Sequence, residues 1–140
     1  MRQGKCLVNL RFAARADQLK EIRKTVRRAA AGVNCEPEIV DSIVLAVNEA
    51  CMNIIQHAYG PQDTGEIILE ILKEQNELTV RLTDFAEPID PATCRPRRLD
   101  ELRPGGLGTH FMSALMDDVQ YLRPPSGPGN ILVMKKKIPE

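Results

Sequence analysis

Apolar and polar positions alternate along "CLVNLRF" (Cys6 to Phe12), which predicts a first β-strand. The period then changes. In "ADQLKEIRKTVRRAAAGV", Leu19, Ile22, Val26, Ala29 and Ala30 recur at helical spacing with Lys and Arg on the other side. Asp17 is the expected N-cap of this helix and Gly32 its stop. A second helix is expected to start near Pro37, a residue suited to a first turn, and to run to about Tyr59, where Gly60-Pro61 ends it. Two β-rich runs follow, Glu66 to Lys73 and Glu77 to Thr83, flanking a polar turn at "EQN"; they predict an antiparallel hairpin. From Phe85 to Pro104 the chain is rich in proline and arginine and has no clear period, which predicts a long functional loop, a lid. "RPGGLGTHFMSALMDDV" passes from a glycine cluster into a short helix, and "VQYLRPP" and "NILVMKKKI" predict a closing hairpin turned at "SGPGN". The order β, α, α, β, β, loop, α, β, β implies an α+β fold: a two-layer α/β sandwich in which helices cover one face of a mostly antiparallel sheet.

Composition narrows the class without naming a function. The 140 residues suit one domain with a real core. Hydrophobic residues make up 43% and charged residues 27%, as in globular proteins. Lys plus Arg and Asp plus Glu both number 19, so the zero formal charge removes any global electrostatic case for direct nucleic-acid or membrane binding. No apolar run approaches a membrane span, and "MRQGKCLVNLRFAAR" lacks a signal-peptide apolar core. The four cysteines, Cys6, Cys35, Cys51 and Cys94, form no CxxC pair; they suggest neither a zinc site nor a disulfide framework, and a cytoplasmic setting is the simplest.

The second helix holds the first chemical anomaly. "VNEACMNIIQHAYG" carries Glu49, Asn53 and His57 four residues apart in an otherwise apolar run, so on a helix they form a single polar stripe. A carboxylate there costs several kcal/mol unless it is paired or faces a wet cavity. Glu49 suits a general base, and the Asn53 amide oxygen suits a hard cation such as Mg2+. A buried Glu–Asn network is an equally weighted reading of these two alone, and His57, at the helix end, reads as structural. In "LTDFAEPIDP", Asp84 directly follows an apolar strand; it is placed to accept from an exocyclic amine such as that of adenine, though a turn or cap aspartate is the commoner role of such a residue. In "RPGGLGTH", Gly105, Gly106 and Gly108 precede a helix start, where backbone N–H groups can approach phosphate oxygens. That cluster equally fits a hinge. Arg103 just upstream is placed to reach a terminal phosphate or to be solvated.

Taken together and in this order, these residues resemble a known family. Glu49-xxx-Asn53-xxx-His57, the strand-end Asp84 and Gly106-x-Gly108 before a helix resemble the N, G1 and G2 boxes of the GHKL ATP-binding superfamily, and most of all its anti-sigma-factor serine/threonine kinases. The likeness covers nearly the whole chain and implies a single histidine-kinase-like ATPase domain over residues 1–140, with the sandwich of the Bergerat type. The resemblance implies ATP or ADP and Mg2+ as cofactors. Glu49 would be the catalytic base, Asn53 the magnesium ligand, and Asp84 the receiver of the adenine amine. Ala86, Arg103, Gly105, Gly106, Leu107, Gly108, Thr109 and Asn130 would complete the nucleotide site. Two positions depart from the pattern: Ala86 and Pro88 stand where glycines are usual, and Asn130 where the family often has threonine.

The function so implied is a protein serine/threonine kinase and partner-switching anti-sigma regulator that phosphorylates a STAS-domain anti-sigma-factor antagonist and holds a sigma factor as second partner. One alternative is a nucleotide-gated binding switch without productive transfer; a blander one is a structural domain with a buried polar network. In relatives the first helix and strand also form a homodimer face, which the resemblance extends to this chain. The basic side of the first helix, Lys20, Arg23, Lys24, Arg27 and Arg28, would otherwise meet an acidic partner or, as for most charged helix faces, water.

Overall fold

The computed structural model describes residues 4–59, 65–86, 112–124 and 129–139, the side chains of residues 57–59 excepted. Strand β1 spans Lys5–Ala13, helix α1 Leu19–Ala31 and helix α2 Pro37–Asn53. A π-helical segment, Ile54–Tyr59, continues α2. Strands β2 (Glu66–Glu74) and β3 (Glu77–Asp84) form a hairpin; β4 (Asp118–Leu122) and β5 (Asn130–Lys137) form a second pair. The sheet order is β1-β2-β3-β5-β4, with every neighbouring pair antiparallel.

Strand alternation decides which side of this sheet is apolar. Leu69, Leu82 and Leu132 lie side by side on β2, β3 and β5, as do Ile71, Val80 and Met134, and all six are buried. Helix α1 adds Leu19, Ile22, Val26 and Ala30 to the same core, and α2 adds Val40, Ile43, Val44, Val47, Ala50 and Cys51. Met112 and Met116, from the helical turn at residues 112–115 and just beyond it, join them. On the other face, Ile68, Glu70, Thr79, Arg81, Ile131 and Val133 are exposed or half-buried, with Arg81 paired to Glu70. Both helices therefore sit on one face, in the layered arrangement expected from the element order.

Local chemistry explains the element ends, with two departures from the sequence reading. Asp17 does not cap α1. It lies within a 3-10 turn, Ala16–Gln18, and binds the Arg15 guanidinium at 2.9 Å. The Arg15 partner holds its carboxyl below the usual carboxylate range. Gly32 does end α1, but in a right-handed conformation; the left-handed residue is Asn34, at φ 63°. Asparagine tolerates that region better than most side chains. Pro37 takes the first position of α2 after an extended Glu36, as its locked φ favours. The helix does not continue unchanged to Tyr59. From Ile54 its turns widen to π geometry, so four residues no longer make one turn and the spacing of His57 loses its meaning. No described helix is long and apolar enough to cross a membrane.

Candidate functional site

Two polar residues stand on the core face where alternation calls for apolar ones. The last row of that face runs Ile67 on β2, Asp84 on β3 and Asn130 on β5. Ile67 is fully buried, while Asp84 and Asn130 are the two buried polar residues of the described chain, at 2% and 7% exposure. They satisfy each other. Asn130 Nδ2 donates to Asp84 Oδ1 at 3.0 Å, and the Ala86 backbone N–H donates to the same oxygen at 3.0 Å. Oδ2 of Asp84 takes no hydrogen bond from the described residues. Among those residues no buried side-chain nitrogen or oxygen lacks a partner. Of the two Asp84 oxygens, Oδ2 is the one to which these donors leave acceptor capacity.

Burial pushes the Asp84 carboxyl above its usual range, and the Asn130 and Ala86 hydrogen bonds pull it back down. The competition matters chemically. Only the ionised carboxylate is purely an acceptor, and an acceptor is what an exocyclic amine requires.

The strand end is fixed by glycine. Gly129 has φ +130°, a conformation L side chains rarely adopt. A Cβ there would lie 2.7 Å from the Asp84 carbonyl oxygen. The chain entering β5 thus approaches the β3 backbone without room for a side chain, next to the place where the two polar side chains pair.

Glu49 and Asn53 lie one turn apart near the C-terminal end of α2, and both are half-buried. Neither is sealed in the core, whereas Val47, Ala50 and Cys51 beside them are. The amide next to Glu49, Asn48, faces the other helix and accepts from Arg23 at 2.9 Å. Ala86 is buried and contributes its N–H to Asp84. Arg103, Gly105, Gly106, Leu107, Gly108 and Thr109 lie outside the described residues, as does the side chain of His57. A polar recess of about 430 Å³, lined by Glu74, Gln75, Asn76, Glu77, Thr79, Lys135 and Lys137, sits at the far end of the sheet from Asp84.

The sequence reading placed Asp84 and Asn130 in one site but not the bond between them. A signal was present. In "VRLTD" and "NILVM" the period of two puts Asp84 with Val80 and Leu82, and Asn130 with Leu132 and Met134, on the buried face.

Comparison with known proteins gives the family and the fold. Residues 12–136 match the family model of the histidine kinase-like ATPase domain. A serine-protein kinase RsbW from Bacillus pumilus is 30% identical over 125 residues, covering 81% of this chain and 76% of that protein. The RsbW of Bacillus cereus strain AH820 is 28% identical over 123 residues, covering 82% and 76%. Among solved structures, the RsbU and RsbW domains of a Mycobacterium tuberculosis protein superpose with a TM-score of 0.67 at 14% identity, over 94% of this chain and 32% of that one. The chain thus spans about a third of that structure's length. A blue-light activated histidine kinase domain from Erythrobacter litoralis gives 0.60 at 19% identity, over 84% and 61%. The two structural likenesses fix the fold, and the family model with the sequence relatives fixes the kinship: this chain belongs to the histidine kinase-like ATPase domain family, among relatives named serine-protein kinases.

Proposed function

We propose that the chain is a Mg-ATP-dependent serine/threonine protein kinase. Its acceptor would be a STAS-type anti-sigma-factor antagonist, and a sigma factor the partner released or held as that acceptor changes state. The observation that carries the reading is Asp84: a buried carboxylate at a strand end, with one oxygen accepting two hydrogen bonds and the other left for a ligand. In an ATPase-domain family that arrangement suits the adenine amine. The likeness to proteins named serine-protein kinases supports the choice of acceptor group.

Glu49 and Asn53 take the chemistry. The incoming serine hydroxyl attacks the γ-phosphorus and gives its proton to the Glu49 carboxylate. The bond from that phosphorus to the bridging oxygen breaks, and ADP leaves with the electron pair. The donor set suits Mg2+. Asn53 offers a hard, neutral amide oxygen one turn from a carboxylate, and among the described residues no three His, Cys, Asp or Glu side chains converge into a self-sufficient metal cage. Magnesium commonly binds through few protein oxygens plus phosphates. Asn53 would hold it, and the ion would supply charge neutralisation at the phosphates. Arg103, Gly105, Gly106, Leu107, Gly108 and Thr109 are assigned to the phosphates by the family resemblance alone.

The test is transfer of label from γ-labelled ATP to a STAS-domain antagonist. Wild type should phosphorylate it. Glu49→Gln should still bind Mg-ATP but lose transfer by about a hundredfold or more, the scale of a lost general base. Transfer by this variant at the wild-type rate would falsify the base assignment. Binding without any transfer by wild type would instead favour the nucleotide-gated switch.

A further inference from the structure

We propose that Asn130 is a positioning residue which, with the Ala86 N–H, occupies Oδ1 of Asp84 and leaves Oδ2 as the single oxygen that reads the exocyclic amine of a bound base. This rests on the nucleotide-binding reading above and adds a role for a residue at which the chain departs from the family pattern.

Three observations carry it. The two donors converge on the same oxygen at equal distance, 3.0 Å each, rather than one on each oxygen. A carboxylate held this way cannot swing, and its second oxygen has a fixed direction. The contact is also built, because Gly129 lets the β5 backbone come so close to Asp84 that a Cβ would sit 2.7 Å from its carbonyl oxygen. Finally, Asn130 opposes the effect of burial on Asp84: desolvation disfavours the carboxylate, and the amide donor favours it. With both donors on Oδ1, a proton would fall on Oδ2 and turn the reading oxygen into a donor, so by favouring the ionised form Asn130 widens the pH range over which that oxygen is purely an acceptor.

Among the described residues, the neighbours leave few other groups to cause such an effect. Across the sheet, Ile67 and Asn130 are uncharged, and so are Phe85 and Ala86 in the following turn. On the C-terminal half of α2, Cys51 is neutral throughout, because burial pushes its thiol up to about 12. Glu49 is the remaining carboxylate there, and a Glu49→Gln background takes it out of the comparison.

The experiment measures binding of a non-hydrolysable Mg-ATP analogue against pH for wild type, Asn130→Ala and Asn130→Thr, each with and without Glu49→Gln. The Asp84 carboxyl is titrated by NMR in the nucleotide-free proteins. Asn130→Ala should weaken binding about tenfold at neutral pH, as for a lost hydrogen bond to a charged group. Its acid-side loss of binding should move to higher pH, and the Asp84 titration should move the same way. Asn130→Thr, which keeps a hydroxyl donor, should recover part of both. Wild-type affinity with an unmoved acid limb in Asn130→Ala would overturn the role of Asn130 while leaving the nucleotide site standing. No binding by wild type at any pH would sink the nucleotide reading itself.

Discussion

Gly129 and Asp84 touch through their backbones: a Cβ on residue 129 would fall 2.7 Å from the Asp84 carbonyl oxygen, and residue 129 already holds φ at +130°. Both facts exclude a side chain. Gly129→Ala should therefore cost about 2 kcal/mol or more, the scale of a strained backbone position together with a clash. The same variant should weaken nucleotide binding, because any shift of β5 moves Asn130 away from Asp84. Urea unfolding and analogue binding on one preparation check both effects.

Asp84 is a buried carboxylate held at some cost to the fold. Burial raises its carboxyl in the native state, so between the ordinary carboxylate value and the raised one the native protein binds more protons than the unfolded chain. Stability linked to this group is thus full at low pH and falls as pH rises through that window. Asp84→Asn should be at least as stable as wild type at neutral pH yet lose nucleotide binding. Denaturant midpoints at pH 7 set beside binding isotherms test the pairing, and a variant that lost stability without losing binding would contradict it.

The thiols should separate by burial. Cys51 is fully buried with its thiol pushed up to about 12; Cys35 is half-buried and also raised; Cys6 is exposed. Alkylation at pH 8, read by peptide mapping, should label Cys6 in seconds to minutes and Cys51 only on unfolding. The raised Cys51 value also predicts stability that is complete below the ordinary thiol value and declines as pH climbs from there toward 12. A Cys51→Ala variant should show a flatter alkaline limb.

Core and surface leucines should differ sharply. Leu69 is fully buried on β2, and its truncation to alanine should cost about 2 to 5 kcal/mol. Leu45, on the outer side of α2, is 44% exposed, and Leu45→Ala should lie within about 0.5 kcal/mol of wild type. Chemical denaturation of the two variants gives both numbers.

Gln75 holds φ at 52° in the β2–β3 turn, a left-handed conformation that costs an ordinary L residue about 1–2 kcal/mol. Gln75→Gly should raise stability by about 0.5 kcal/mol, the strain relieved less the added freedom of the unfolded glycine. The bond from Lys73 Nζ to the residue 75 carbonyl, 2.8 Å, involves backbone only at that position and should persist. A thermal unfolding comparison is sufficient.

Much of this architecture was legible along the chain because it is local. The period of two in "EIILEILKE" and "ELTVRLTD" encodes strands whose buried and open faces alternate, and the two-residue turn between them leaves one pairing to make. The helical spacing of Leu19, Ile22, Val26 and Ala30 likewise names the face that enters the core. Glu49 and Asn53 were placed one turn apart by the same arithmetic, and they are. The arithmetic failed at Ile54, where the chain adopts π turns, since a change of winding leaves no periodic mark in so apolar a run.

The sequence by itself determined the elements, their amphipathic faces and the polar residues that break them, because each follows from spacing within a few residues. Only the tertiary structure decided that β5 enters between β3 and β4 and so sets Asn130 opposite Asp84, 46 residues away. That pairing depends on strand order and on a backbone approach only glycine permits. Neither is a property of any local window, so how the Asp84 carboxylate is held could be read only from the folded chain.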